Sequence, residues 1–376
     1  MSEGVVIKVG GSVLVNGSAY ISVAEFIRER FISEGRAAVV VVSAMKGITD
    51  KLIEVCRGHK DALETVIKQY TEALEHIDGM RLKKRVLYEL SKLNGVIAQG
   101  TAIDKAVKDY VLSFGEKLSK LLMVDALKST GIKVIGLSAE DLIKTNNVHG
   151  YASINYHDTY KMLNQIVPNL LKEGFTCVIE GFIGSSNQGL TTTLGRGGSD
   201  YTATSVAALL NIKEIYLLTN VPGIMTADPS LVPSAKVVKN LSFNEAYEAS
   251  IYGGKNLHPK TFEPLIKLGG EHVVYIGNLK CIGTAIRRRL KNKEAKELKL
   301  VAHKVRESFT FVGLIGEGVH VGRIRHEVLK RIEDAGIEYE GCYMFRKRPV
   351  VLFTLANDLS VVKKTVNTLH DLLREG

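Results

Sequence analysis

Residues 37–50 read AAVVVVSAMKGITD, an unbroken run of small and β-branched apolar residues that gives way at Ser43 to a polar cluster. The run is far too short to span a bilayer, and its character suits a buried strand, Ala38–Ser43. Working outward, the arrangement recurs. Apolar segments at Val5–Val9, Val134–Leu137, Phe175–Ile183, Glu214–Thr219 and Glu271–Ile276 alternate with helical patterns at Ser22–Glu34, Asp61–His76, Arg81–Leu93, Ala102–Lys128 and Asp200–Leu210. Strand-helix alternation predicts an α/β fold, a three-layer sandwich in which helices cover both faces of a mostly parallel sheet. Ligands in such sheets bind beyond the carboxyl ends of the strands, where the polar clusters fall.

The chain has 376 residues, enough for two domains with a core in each. Its net charge of +10 could suit nucleic acid or a small anionic substrate. The short basic clusters Arg81–Arg85, Arg287–Lys293 and Arg346–Arg348 come without a recognition helix, zinc module or interleaved aromatics, so they read as solvated surface. Cys56, Cys177, Cys281 and Cys342 are too widely spaced for a zinc pair or a disulfide framework, and read as buried free thiols. The N-terminus MSEGVVIKVGG has neither a basic leader nor a cleavage site, which points to the cytoplasm.

After about residue 290 the composition changes. The charged run Arg287–Glu297 reads as a linker or a solvated helix end. Beyond it, strands are predicted at Lys299–Val305, Thr310–Leu314, Glu338–Phe345 and Val350–Leu355. Helices are predicted at Gly322–Ala335, with Ile324, Val328, Leu329 and Ile332 on one face, and at Leu359–Leu373. This is a small α+β unit.

Four polar clusters could line one sheet edge: Lys8–Ser12 (KVGGS), Ser43–Asp50 (SAMKGITD), Thr191–Thr204 (TTTLGRGGSDYTAT) and Thr219–Asp228 (TNVPGIMTAD). The two glycines after Lys8 let backbone N–H groups approach a phosphate while the lysine supplies charge. A Walker loop fails, since Leu190-Thr191 follows Gly184–Gly189 where Lys-Ser/Thr is required. A dinucleotide fingerprint fails as well, because the sixth position from Gly195 is Asp200.

With KVGG at 8–11, SAMKGIT at 43–49, SFGEKLS at 113–119, EGFIGS and TTTLGRGGSDYTA within 180–203, VPGIMTADP at 221–229 and SFNEAYEASIYGGKNLHPKT at 242–261, the chain resembles the aspartate kinases of the amino acid kinase family. The motifs arrive in family order across nearly all of residues 1–290. The resemblance implies a catalytic domain over 1–290 and, in 298–376, a single ACT-like unit for regulation or dimerisation where two are usual. It implies ATP and Mg²⁺ as cofactors and phosphorylation of the aspartate side-chain carboxylate, the first step toward lysine, threonine and methionine. A homodimer or a dimer of dimers is implied too, with no nucleic-acid or membrane partner.

The resemblance also assigns residues. Lys8 and Lys255 flank the transferred phosphoryl group, and Asp200 orients the lysines and the metal. Glu116 holds the substrate's ammonium and Arg196 its α-carboxylate, beside Gly198, Ser199, Ser43 and Thr49. The nucleotide falls to Gly10, Gly11, Ser12, Thr219, Asn220, Gly223, Met225, Asp228 and Lys255. An arginine fork does suit a planar carboxylate, and a carboxylate an ammonium. Plain rivals exist: Lys8 could merely end a strand, Glu116 could be a surface acid paired with Lys120, and Asp200 could cap a helix. Val13, Asn220, Met225 and Ser230 depart from the family pattern, which alters the expected nucleotide contacts. The segment CYMFRKRP also departs, so little feedback by lysine or threonine is expected. A homoserine kinase, or a non-catalytic amino-acid sensor, stays open at this level.

Overall fold

A computed structural model of the chain describes residues 4–77, 79–99, 103–254, 257–290, 294 and 296–373. The chain divides into two compact units: Met1–Asn220 with Glu263–His272, and Val221–Phe262 with Val273–Gly376.

In the first unit the order is β1 (Val5–Val9), α1 (Gly17–Ile27), β2 (Ala38–Val42), α2 (Ile48–Cys56), α3 (Lys60–Ala73), α4 (Met80–Ala98), α5 (Lys105–Ser129), β3 (Val134–Leu137), α6 (Ala139–Leu142), α7 (Tyr156–Lys172), β4 (Thr176–Glu180), β5 (Ile183–Ser185), β6 (Thr191–Thr193), α8 (Gly198–Leu209) and β7 (Glu214–Leu218). Its strands β3, β4, β2, β1 and β7 lie side by side in that order, every neighbouring pair parallel. Every residue of β2 is buried, as are Val5, Val6, Ile7 and Val9 of β1, so both sheet faces are covered. That is why these segments read as continuous apolar runs. α5 packs on β2, β3 and β4 and against α1, α2 and α4, while α8 packs on β1, β2 and β7 and against α7. The α/β expectation therefore holds for this unit.

Local departures have local causes. The helix expected over 22–34 is instead α1 followed by a π-helical turn, Arg28–Ile32. The strand expected over 175–183 breaks after Glu180 because Phe182 adopts a left-handed backbone, φ 67°, before β5 pairs with β6. α7 carries Pro168, which masks it in the sequence, and its start is capped by the Asn155 side chain accepting from the Asp158 N–H.

The second unit begins with β8 (Asn240–Ser242) and α9 (Phe243–Ile251), whose start is a capping box between Ser242 and Glu245. The chain then runs through α10 (Pro259–Lys267), which crosses the division between units, to β9 (Val273–Gly277) and β10 (Thr284–Arg287); β10 pairs with both β9 and β8. β11 (Leu300–Val305), β12 (Phe309–Ile315), α11 (Gly322–Asp334), β13 (Gly341–Met344), β14 (Val350–Ala356) and α12 (Leu359–Asp371) complete it. Strands β11, β12, β14 and β13 form an antiparallel sheet in that order. Val328 and Ile332 of α11 and Val362, Val366 and Leu369 of α12 are buried in one core with Val312, Leu314 and Phe353. Leu329, expected on that face, is partly exposed. The strands and helices expected after residue 298 are thus present as a small α+β sheet, within a larger compact unit that also takes in Val221–Phe262. Of the four cysteines expected as buried free thiols, Cys177 is buried, Cys56 and Cys342 are partly buried and Cys281 is exposed. Arg348, read from sequence as solvated surface, instead makes paired hydrogen bonds at 2.7 and 2.6 Å to the Glu248 carboxylate and a third to the Tyr252 hydroxyl. The segment before β14 is thereby tied to α9.

Candidate active site

In β1, Lys8 is the partly exposed residue among buried neighbours. Its ammonium lies 2.7 Å from Asp200 Oδ1, in the first turn of α8. Asp200 is not the cap of that helix, since the N-cap position is Gly197 and no side chain caps it. The Lys8 and Asp200 pair joins the KVGGS and GRGGSD clusters at the carboxyl end of the parallel strands. A third cluster joins through Ser12 Oγ, 3.3 Å from Thr219 Oγ1, with Asn220 Oδ1 3.4 Å from the same hydroxyl. The Gly10 N–H donates to the Leu218 carbonyl at 3.1 Å. Of the glycine pair, Gly11 therefore keeps an N–H with no partner among the described residues.

The SAMKGIT cluster arrives beside the same strand, its Ser43 N–H donating to the Val9 carbonyl at 3.0 Å. Thr49 is partly buried in the first turn of α2. Glu116 reaches this cluster from α5, where its Oε1 accepts the Ala44 N–H at 3.1 Å. The approach depends on Gly115: a Cβ there would stand 2.8 Å from Ala44 Cβ, closer than side chains tolerate. Glu116 is only 2% exposed, and its Oε2 is buried with no partner among the described residues. Burial pushes its carboxyl up to about 8; the Ala44 N–H pulls it down, and the charge on Glu180 adds to the upward push. It is not a surface acid, and Lys120 pairs instead with Glu180.

Arg196 stands exposed between β6 and α8, and its guanidinium makes no ion pair among the described residues. Gly198 and Ser199 open α8, whose first-turn N–H groups lack a side-chain acceptor, a setting that favours an anion. The first unit thus holds Lys8, Gly10, Gly11, Ser12, Ser43, Thr49, Glu116, Arg196, Gly198, Ser199, Asp200, Thr219 and Asn220. Gly223, Met225 and Asp228 belong to the second. There Met225 bridges to Val237, and Asp228 Oδ1 accepts from the Ser230 N–H and hydroxyl at 3.0 and 2.8 Å. Lys255 lies outside the described residues.

Three further acids lie around the site: Glu180, which opens EGFIGS but takes no role from the resemblance, and Glu140 and Asp109, which belong to none of the quoted motifs. Glu180 ends β4 and accepts the Ala139 N–H at 2.8 Å. Glu140 accepts from Lys117 at 3.0 Å and from the Thr191 hydroxyl. Asp109, 1% exposed, gathers donors from two loops. An acid inside an amphipathic helix, as Asp109 is in α5, reads as a solvated face, and its burial is what distinguishes it.

The model of the amino acid kinase family matches residues 3–278. The chain is 33% identical over 290 residues to the lysine-sensitive aspartokinase 3 of Escherichia coli K12, covering 74% of this chain and 62% of that one. It is 30% identical over 266 residues to an aspartokinase of Chlamydia muridarum, covering 70% and 58%. The chain thus spans about three fifths of the length of these curated relatives. The crystal structure of E. coli aspartokinase III with aspartate and ADP superposes with a TM-score of 0.75 at 27% identity, covering 99% of this chain and 83% of that one. A Clostridium acetobutylicum aspartate kinase reaches a TM-score of 0.80 at 19% identity, over 98% and 100%, a likeness of fold.

Proposed function

Because the chain belongs to the amino acid kinase family, we propose that it is an aspartate kinase, transferring the γ-phosphoryl group of ATP to the side-chain carboxylate of L-aspartate. The observation that carries this reading is the buried Glu116 carboxyl, with one oxygen on the Ala44 N–H and the other unpartnered. A buried polar atom without a partner is costly, and a substrate ammonium supplies the missing donors. Arg196 then takes the α-carboxylate in its guanidinium fork, among Ser43, Thr49, Gly198 and Ser199.

The substrate's side-chain carboxylate is already ionised near neutrality, so no general base is needed. One of its oxygens forms a bond to the γ-phosphorus as the bond from that phosphorus to the bridging oxygen breaks, giving 4-phospho-aspartate and ADP. The barrier is repulsion between two anions. Lys8, held by Asp200, and Lys255 offset the charge that develops, and the Gly11 N–H donates to a phosphate oxygen. Within the first unit, Ser12, Thr219 and Asn220 add nucleotide contacts.

The described residues contain no cluster of three acidic, histidine or cysteine side chains that could hold a metal alone. Asp200, whose Oδ1 meets Lys8 at 2.7 Å, is the carboxylate that would hold Mg²⁺. When bound, it neutralises phosphate charge.

In this reading residues 1–290 are catalytic, and 298–376 form the ACT-like unit that pairs two copies of the chain, covering the outer edge of β13. No described helix is long and apolar enough to cross a membrane, in keeping with a cytoplasmic enzyme. Coupling ADP release in turn to aspartate, homoserine and glutamate tests the assignment. Turnover with aspartate alone supports it, and turnover with homoserine alone replaces it.

A further inference from the structure

α5 carries two buried carboxylates, Asp109 and Glu116, separated by seven residues, about 10 Å along the helix axis. Only Glu116 faces the proposed ammonium. Two turns away on the same side of α5, Asp109 meets two other segments: its Oδ2 accepts from the His149 ring Nδ1 at 2.9 Å, the Gly150 N–H at 2.9 Å and the Thr193 N–H at 3.0 Å. Its Oδ1 accepts the Thr193 hydroxyl at 2.6 Å. One carboxylate therefore binds two separate segments to the helix. The same segments are bound to each other, since the Ala152 N–H donates to the Thr193 carbonyl at 2.8 Å.

From Thr193 the chain runs three residues to Arg196. The intervening Gly195 is left-handed, φ 76°, and a Cβ there would stand 2.5 Å from Tyr151 Cδ2 and 3.2 Å from the Gly150 carbonyl oxygen. The loop that Asp109 grips through His149 and Gly150 thus lies directly against the turn that presents Arg196. The ammonium holder and the start of the arginine turn are carried on one rigid connection, and Asp109 is its fastening.

We propose that Asp109 is a positioning residue that sets the separation between Glu116 and Arg196, and so the fit of the site to an α-amino acid. This rests on the reading of those two residues as holders of the ammonium and the α-carboxylate. An amino acid gripped at both ends tolerates little change in that spacing, and displacement of a holder by about 1 Å is enough to cost up to 10²-fold. ATP makes no use of the spacing.

Steady-state kinetics on the full chain test this, with ATP binding measured separately in the absence of amino acid. Asp109→Ala should raise the aspartate KM by about tenfold or more while the ATP Kd stays within about twofold. Asp109→Asn should restore the aspartate KM to within about threefold, because its amide oxygen can accept from His149, Gly150 and Thr193 while its NH₂ group donates to the Thr193 hydroxyl. Thr193→Val and His149→Ala remove one donor each, and carry the test at an amplitude of about threefold if Asp109→Ala does not fold. An unchanged aspartate KM in a folded Asp109→Ala or Thr193→Val protein overturns the proposal. So does a parallel loss of aspartate and ATP affinity, which marks general loosening. If the wild-type protein turns over no aspartate, the functional reading itself fails and the positioning role falls with it; a wild type active on aspartate beside an unaffected variant removes the positioning role alone.

Discussion

Lys8 Nζ stands 2.7 Å from Asp200 Oδ1, so the cation at the end of the first strand is aimed by a carboxylate from the first turn of α8. If that cation stabilises charge on the transferred phosphoryl group, Lys8→Ala lowers kcat by about 10²–10³, or 3–4 kcal/mol, and leaves the aspartate KM within a few-fold. Asp200→Asn keeps a hydrogen-bond acceptor but loses the charge, and should lower kcat in the same direction. An unchanged kcat in Lys8→Ala removes the lysine from the chemistry.

Glu116 gives a pH signature. In the free protein it holds its proton up to about 8, against an ordinary value of 4.5, so between these pH values the folded chain binds more protons than the unfolded one. The stabilisation from this group is full below about 4.5 and is lost as pH rises to about 8, at up to about 1.4 kcal/mol per pH unit. Urea denaturation at pH 5, 6.5 and 8 should show the wild type losing stability relative to Glu116→Gln across that window. A difference that does not vary with pH contradicts the buried, neutral carboxyl. Because the substrate ammonium favours the ionised form, the aspartate KM should fall from pH 6 to pH 8.

Arg196 is exposed and without an ion pair among the described residues, which leaves it available to a ligand. Arg196→Ala should reduce kcat/KM for the amino acid by about 2–5 kcal/mol, and ATP affinity measured alone should barely move. Collapse of ATP binding assigns the loop to the nucleotide instead.

Gly115 is a packing requirement with a functional consequence. Gly115→Val pushes α5 away from Ala44, and should destabilise the fold by about 1–3 kcal/mol in thermal or chemical denaturation. Any folded fraction should show a raised aspartate KM, because the contact between Glu116 and the Ala44 N–H opens. Unaltered stability and KM together contradict the close approach.

Much of the fold was legible because buried parallel strands announce themselves as apolar runs; Val5–Val9 matches its expected limits, as does the less buried edge strand Val134–Leu137. The break at Phe182 was not, since nothing in EGFIGS signals a left-handed phenylalanine. α7 was hidden by Pro168, and β5 and β6 by their three-residue length. In the site, motif residues such as Lys8, Glu116 and Asp200 were legible from the resemblance, while composition alone left each with an ordinary structural role. Asp109 was invisible at that level, because its importance lies in four hydrogen bonds made to segments 40 and 84 residues away.

The central claim is the acceptor: a carboxylate oxygen of aspartate. An acyl phosphate reacts with hydroxylamine to give a hydroxamate, whereas a phosphate ester does not. With MgATP, L-aspartate and hydroxylamine, the protein should form aspartyl hydroxamate in step with ADP, and Lys8→Ala should lower both signals together by about 10²–10³. ADP release with no hydroxamate, or release that depends on homoserine and not on aspartate, contradicts the account.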